Sequence, residues 1–374
     1  MNITNNKKIL FVVVGKFPTR KAFGITTLGT ANAAVQAGYA VNILSSNSYL
    51  HSDDSFLSNK TKDKFSKFFS KRIKSSFFGK INFRTLQIYV SIKACLIDRK
   101  LSFDMLWVRD PVVAFLLLLF TKRFTPIICE IHRVNSKFDL LLYKFLYRKK
   151  RIVLCPISKS VDTKLPKNKY NQIILGMSVN ELFLEVGKNK NLNFRERLVI
   201  AYLGRSTSST EKLDINFLSN LFSLCESSGK NWKFLLIGFY DARLSKFKNV
   251  KMFSDLVHDK VPEILHSAHV GLVIYPNTTY FKDSFPIKLI EYAATKLLIV
   301  STKTQSHFEI LGDDKAIYFK ENDFVDLFSV LENLEKNRKL TKEFVDLAFK
   351  WAKENSYSNR FHKVLKEVNL RYLS

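Results

Sequence analysis

The sequence predicts two α/β halves, each wound around its own parallel sheet. Three observations carry this expectation. Short apolar runs of strand length alternate with stretches of helical period along the whole chain. The alternation restarts near Leu198, after a polar and charged stretch. The length, 374 residues, suits two domains, each large enough for its own core.

Residues 8–15, KILFVVVG, form an opening buried strand. The loop 16–24, KFPTRKAFG, leads to a helix over 25–37, closed by Gly38 in the C′ position. A strand over 39–44 completes a βαβ unit that opens a doubly wound sheet. The loop 16–24 then lies at the carboxyl edge of the first strand, where such sheets bind ligands. It lacks G-x-G-x-x-G, so a dinucleotide fingerprint is absent. Strands are expected at 105–108, 127–131 and 152–156, with helices at 112–120 and 138–147. Glu130 and His132 stand at the carboxyl end of their strand. The stretch 180–197, with SVNELF leading into a short helix, reads as the interdomain linker. The second half adds strands at 198–203, 232–237, 250–253, 270–275 and 316–319, with helices at 214–227 and 261–266. The last stretch, 341–373, reads as a long helix broken near Ser356–Ser358 that packs back on the first half.

Composition narrows the function. Hydrophobic residues make up 46% of the chain, which indicates a globular protein. The four cysteines are scattered without a C-x-x-C pair, and Cys129 and Cys155 fit buried thiols in a reducing compartment. The polar start, MNITNNKK, reads as no signal peptide. The longest apolar run, 112–120, is too short to span a membrane. A soluble or peripheral protein is expected.

The net charge is +27, and it is uneven. Residues 1–180 hold 31 Lys/Arg against 9 Asp/Glu, and residues 181–374 hold 29 against 24. The first half therefore calls for a densely negative partner, either an anionic membrane or nucleic acid. Residues 56–80 contain eight Lys/Arg, one acid and six Phe. Phe65, Phe68, Phe69, Arg72 and Ile73 follow helical spacing, with Lys64, Lys67, Lys71 and Lys74 flanking them. Such a helix fits a membrane interface; a helix packing its Phe stripe on the core would show the same pattern. Nucleic acid is disfavoured, because no recognition-helix, RNP or zinc-finger pattern accompanies the charge.

The richest stretch is 283–301, DSFPIKLIEYAATKLLIVS. It reads as a loop, a helix over 285–294 with Ser284 as N-cap and Pro286 in the first turn, and a buried strand. Asp283 precedes the helix and Glu291 lies about two turns later. Free N–H groups and a partial positive charge at the helix start form a seat for phosphate. Carboxylates flanking that seat could hold hydroxyls attached to the phosphates; a solvated helix with an N-cap acid would show the same spacing. Arg205 and Lys212, in the loop after the strand at 198–203, would supply two cations to such a diphosphate site. No metal-ligand spacing is present. His132 is either a hydrogen-bonded structural residue or a group facing a cleft at the strand's end.

These residues resemble a known family. SFPIKLIEYAATKLLIVST is similar to the S-P-x-K-x-x-E-Y-x-A-x-G-K-P-V-V-A-S segment of retaining glycosyltransferases of the GT-B fold, closest to family four. AYLGR at 201–205, EIH at 130–132, ILGMSVNELF at 174–183 and ILHSAHVGLVIYP at 264–276 support the likeness, which covers nearly the whole chain. The resemblance implies two Rossmann-like domains facing a cleft. Residues 1–180 would bind the acceptor, 181–356 the nucleotide-sugar, and the helix 357–374 would pack back on the first domain.

It also implies roles. Glu291 would hold the ribose, Asp283 the sugar hydroxyls, and Arg205 and Lys212 the diphosphate. The backbone of Ser284, Phe285 and Pro286 would cap the same phosphates. His132 would contact the sugar near the anomeric centre, and Gly24 would let backbone approach a ligand. The donor would be a UDP- or GDP-sugar and the reaction would need no metal or cofactor. The acceptor would be a lipid-linked saccharide in bacterial surface polysaccharide synthesis, handled at the cytoplasmic face of the inner membrane.

The chain departs from the family pattern with Asp at 283 for Glu, Thr295 for Gly, Leu298 for Pro and Asn180 where Asp is frequent. Two other readings stay open: a GT-B enzyme of another reaction, such as a nucleotide-sugar epimerase, and a basic nucleic-acid-binding protein.

Overall fold

The computed structural model describes residues 7–17, 19, 22–47, 83–122, 124–134, 136–166, 172–190, 197–204, 215–254, 256–275, 286–337 and 341–372. The chain divides into two units, residues 1–176 with 357–374, and residues 177–356.

In the first unit, β1 (Lys8–Lys16), β2 (Ala40–Asn47), β3 (Met105–Val108), β4 (Ile127–Ile131) and β5 (Ile152–Pro156) form one sheet in the order β2-β1-β3-β4-β5. Every pairing is parallel. The strands were legible because they are apolar on both faces, as a sheet covered on both sides requires. Helices α1 (Ala22–Gln36), α2 (Phe83–Leu101), α3 (Pro111–Phe120), α4 (Lys137–Leu146) and the short α5 (Lys159–Thr163) connect them. α3 starts where the turn chemistry puts it: Asp110 Oδ1 accepts from Val112 N at 2.9 Å and Val113 N at 3.1 Å, with Pro111 in the first turn.

In the second unit, β6 (Val199–Leu203), β7 (Lys233–Ile237), β8 (Val250–Phe253), β9 (Val270–Val273), β10 (Leu298–Thr302) and β11 (Ala316–Phe319) form a second parallel sheet, in the order β11-β10-β9-β6-β7-β8. The helices are α6 (Glu181–Lys188), α7 (Ile215–Ser227), α8 (Val261–His266), α9 (Ile287–Ala294), α10 (Gln305–Leu311), α11 (Phe324–Lys336) and α12 (Thr341–Glu354). α12 packs against α9, the helix of the 283–301 stretch.

Three expectations need correction, and the break in the C-terminal helix falls where the sequence places it. The first helix begins at Ala22, so Gly24 sits in its first turn rather than in a loop. A Cβ at Gly24 would stand 2.3 Å from the Thr19 carbonyl oxygen, so packing alone demands glycine there. The stretch 180–197 is not all linker. α6 fills its first part, capped by Asn180 Oδ1 accepting from Leu182 N at 3.1 Å, and buries Phe183 and Leu184 in the second unit's core. α9 starts at Ile287, with Pro286 in the cap position and extended (φ −72°, ψ 124°); the predicted N-cap, Ser284, lies outside the described residues. The long C-terminal helix breaks at Asn355 and Ser356, where Val179 N donates to Asn355 O at 3.2 Å and Val179 bridges Ser356. The last helix, α13 (Tyr357–Tyr372), packs on α1 in the first unit. Gly29 permits that contact, since a Cβ there would lie 2.2 Å from the Tyr357 ring.

All four cysteines are buried thiols. Among the described residues, no helix is long and apolar enough to cross a membrane.

Candidate functional site

In the second unit the strand order reverses between β6 and β9. Open parallel sheets bind ligands outside the carboxyl ends of the strands at such a switch point. β6 ends at Leu203 and Gly204, and β9 leads to Tyr275. Arg205, Lys212, Asp283, Ser284 and Phe285 lie outside the described residues. What is described is the frame beneath those loops. Tyr292 Oη accepts from Leu203 N at 2.6 Å and donates to Leu272 O at 3.2 Å, which ties α9 to both strand ends. Lys288 Nζ stands 4.7 Å from the Tyr202 ring centre and 4.9 Å from that of Tyr275, so a buried cation lies between aromatic faces at the switch point. The turns after β6 and β7 also meet closely. Gly238 (φ +99°) has room only for hydrogen, because a Cβ would fall 2.2 Å from Gly204 O.

One turn beyond Lys288, Glu291 is buried to 2% exposure. His258, in the short turn His258–Lys260, donates from Nε2 to Glu291 Oε1 at 2.7 Å. The imidazole packs 5.2 Å from the Phe183 ring. Glu291 Oε2 is buried and has no hydrogen-bond partner among the described residues. A buried carboxylate oxygen without a donor is costly, and it calls for a ligand hydroxyl or water. The sequence singled out Glu291 through its spacing. It missed His258, which no local pattern marks, and Lys288, whose signal was a lone charge inside an apolar helix.

The first unit holds a second polar centre. Glu130, at 2% exposure, has both oxygens held by side chains of the fold. Its Oε1 accepts from Trp107 Nε1 at 2.9 Å and from Arg360 NH1 at 2.9 Å. Its Oε2 lies 3.0 Å from His132 Nε2 and 3.7 Å from Arg109 Nε. Arg360 reaches in from α13 and also donates to Thr30 Oγ1 at 3.2 Å and Leu175 O at 3.3 Å. Arg109 donates from NH1 to Phe23 O at 2.8 Å, and its NH2 is 2.6 Å from His132 Nε2. Burial alone would raise the Glu130 carboxyl. Arg360, the His132 hydrogen bond and Arg109 instead hold it well below the usual carboxylate range.

Burial and then the Arg109 charge lower His132 to about 4, so its imidazole is neutral near pH 7. Its side chain keeps 26% exposure, which makes Arg109 the more secure of those causes. With its proton on Nε2 the ring donates to Glu130; with it on Nδ1 the ring accepts from Arg109. Both contacts use Nε2 and leave Nδ1 without a partner among the described residues. Sequence reasoning found His132 and missed Arg109 and Arg360, because the three come from distant parts of the chain.

The membrane patch read from the sequence, Lys64, Lys67, Phe68, Phe69, Lys71, Arg72 and Lys74, lies outside the described residues. Among the described residues, no group of three or more His, Cys, Asp or Glu could hold a metal ion.

The half-satisfied Glu291, one turn from Lys288 at a sheet switch point, belongs to a recurrent sequence pattern. Residues 197–337 match the family model of glycosyl transferases group 1. The match spans all of β6 to β11 and contains both residues. Solved structures agree in fold over nearly the whole chain. A glycosyltransferase from Rickettsia africae superposes with a TM-score of 0.69 at 14% identity, covering 98% of this chain and 99% of its own. A sucrose-phosphate synthase from Thermosynechococcus elongatus gives 0.67 at 12% identity, over 98% and 100%. The Anabaena protein HepE, crystallised with UDP and glucose, gives 0.64 at 10% identity, over 97% and 100%. No curated protein matches the chain in sequence. The fold is GT-B, with two Rossmann-like parallel-sheet units and a helical C-terminus.

Proposed function

We propose that the protein is a retaining glycosyltransferase, metal-independent and of the family-four type, that uses a nucleotide-diphosphate sugar. A UDP-sugar is the first candidate, since a structural relative holds UDP. The observation that carries the reading is the buried Oε2 of Glu291, without a partner among the described residues, on the helix that follows the switch-point loop. In this reading Glu291 accepts from a ribose hydroxyl, completing its hydrogen bonding. Arg205 and Lys212 neutralise the diphosphate, with the backbone of Ser284, Phe285 and Pro286 capping it. Asp283 holds hydroxyls of the sugar.

The anomeric carbon–phosphate oxygen bond breaks as the acceptor hydroxyl attacks from the same face, and the acceptor proton passes to the leaving phosphate. Fixed cations that stabilise the growing charge on the diphosphate are the main source of rate. His132, neutral and held through Nε2, contacts the sugar near the anomeric carbon. The acceptor is a lipid-linked saccharide, and the place of work is the cytoplasmic face of a bacterial membrane during surface polysaccharide synthesis. The basic first half, with 31 Lys/Arg against 9 acids over residues 1–180, supports a negatively charged acceptor and surface.

The test is a thermal-shift panel of UDP-, GDP-, CDP- and ADP-sugars, first without metal and then with magnesium. A ligand that binds the folded state raises its melting temperature. One donor is expected to raise it equally with and without magnesium. Absence of any shift would overturn the donor reading.

A further inference from the structure

Fifteen large hydrophobic side chains are exposed among the described residues, and eleven of them fall between Phe83 and Phe145. Ten of these sit on α2, α3 and α4, which pack side by side in the first unit, α2 against α3 and α3 against α4. On α2, Ile88, Ile92 and Leu96 repeat every fourth residue, the period of one helical stripe. On α4, Phe138, Leu141 and Phe145 repeat at three and four. Between these helices, α3 ends in exposed Leu119 and Phe120, and Phe115 meets Phe145 edge-on at 5.3 Å between ring centres. Phe124, in the turn after α3, is 85% exposed. None of these residues is needed for the core, whose inward side chains on the same helices, such as Val90, Leu117 and Leu142, are buried separately. An exposed apolar face of this extent marks a surface that docks on something.

Charge identifies the occupant. Residues 83–150 carry 13 Lys/Arg against 5 Asp/Glu, and two of those acids, Asp98 and Glu130, are buried. The exposed cations Arg99, Lys100, Lys137 and Lys144 are interleaved with the apolar stripes. Lys149 Nζ lies 4.6 Å over the Phe145 ring and Lys93 Nζ 5.8 Å over Tyr89, so lysines lie along the apolar side chains. A second copy would meet this face with like charge. Nucleic acid would leave the aliphatic stripe of Ile88, Ile92, Leu96 and Leu141 uncovered, because bases stack on aromatic rings. An interface that is apolar below and anionic at its surface satisfies both components.

We propose that the α2–α3–α4 face docks the protein on an anionic lipid bilayer, with the aliphatic and Phe side chains entering the headgroup–acyl boundary and the lysines on the lipid phosphates. The inference gives the membrane part of the proposed function a definite surface, and it makes no use of the donor site.

The test is co-sedimentation of the full chain with vesicles of phosphatidylglycerol and phosphatidylcholine, and with phosphatidylcholine alone. Binding is expected on the anionic vesicles, falling as salt rises. The triple variant Ile92→Ser, Leu96→Ser, Leu141→Ser changes only exposed positions. It is expected to bind about tenfold more weakly or worse, with its melting temperature and any donor-induced thermal shift unchanged. Lys137→Gln with Lys144→Gln should weaken binding less and flatten the salt dependence. Wild-type binding by the triple variant would overturn the proposal, as would indifference of the wild type to anionic vesicles. So would a solution dimer that the triple variant converts to a monomer. Because the donor-induced shift is read separately, failure on vesicles and failure of the transferase reading are told apart.

Discussion

Each unit buries a glutamate to 2% exposure, and the two are satisfied differently. Glu130 has both oxygens engaged, by Trp107, Arg360, His132 and Arg109. Glu291 has one oxygen held by His258 and the other without a partner among the described residues. Both are buried acids beside parallel sheets, so burial does not separate their roles. The state of their oxygens does. A carboxylate with both oxygens held from within the fold holds other groups in place. A carboxylate left half-answered is poised for something that arrives from solution.

The largest effect expected from this contrast is on stability in the first unit. Glu130→Ala removes the partner of buried Arg360 and of the Trp107 indole, and should destabilise the fold by about 3–5 kcal/mol, read by urea unfolding. Glu291→Ala should leave stability within about 1 kcal/mol of wild type, because only its bond to His258, whose side chain is 24% exposed, is lost. Equal destabilisation by both would break the comparison.

Activity should reverse the order. Glu291→Ala is expected to lower kcat/KM about 100-fold or more, the loss of a hydrogen bond to a charged group near 3 kcal/mol. Near-wild-type turnover would remove the ribose role.

Acid should act on two imidazoles whose protonation the fold resists. His307, at 1% exposure with Nδ1 2.9 Å from Ser301 Oγ, is lowered to about 4 by burial, and His132 is lowered similarly. The unfolded chain takes up protons near pH 6.5 while these groups resist until about 4. Stability should therefore fall as pH drops from about 6.5 and level off below about 4, with His307 contributing about 3 kcal/mol. Replacing His307 with Gln should flatten that slope; an unchanged slope would contradict the assignment.

The smallest effect is at Lys288. Lys288→Met keeps the length and apolar stem between Tyr202 and Tyr275 but removes the charge. Donor affinity should fall about tenfold, or 1.4 kcal/mol, with little change in melting temperature. An unchanged affinity would limit the lysine to packing.

Much of this architecture was readable beforehand, for a physical reason. Strands buried on both faces, such as Met105–Val108 and Val270–Val273, write themselves as unbroken apolar runs. Helix Phe83–Leu101 escaped notice because Ile88, Ile92 and Leu96 face outward, where a soluble helix would carry polar residues, and so its period is blurred. Glu181–Lys188 was absorbed into a linker because its apolar face is only Phe183, Leu184 and Gly187. Glu291 was legible because its meaning lies in local spacing from Asp283 and the helix start. The Glu130 centre was not, since residues 30, 107, 109, 132 and 360 meet only after the chain folds.

The most direct test of the central contrast is calorimetric titration of a UDP-sugar into wild type, Glu291→Ala and Glu130→Gln, each first shown to be folded. If Glu291 is the oxygen awaiting a ligand, its alanine variant should bind about 100-fold more weakly, while Glu130→Gln keeps donor affinity within about threefold of wild type. Equal affinity in wild type and Glu291→Ala would contradict the account, and the unpartnered oxygen would then have to be answered by something other than the donor.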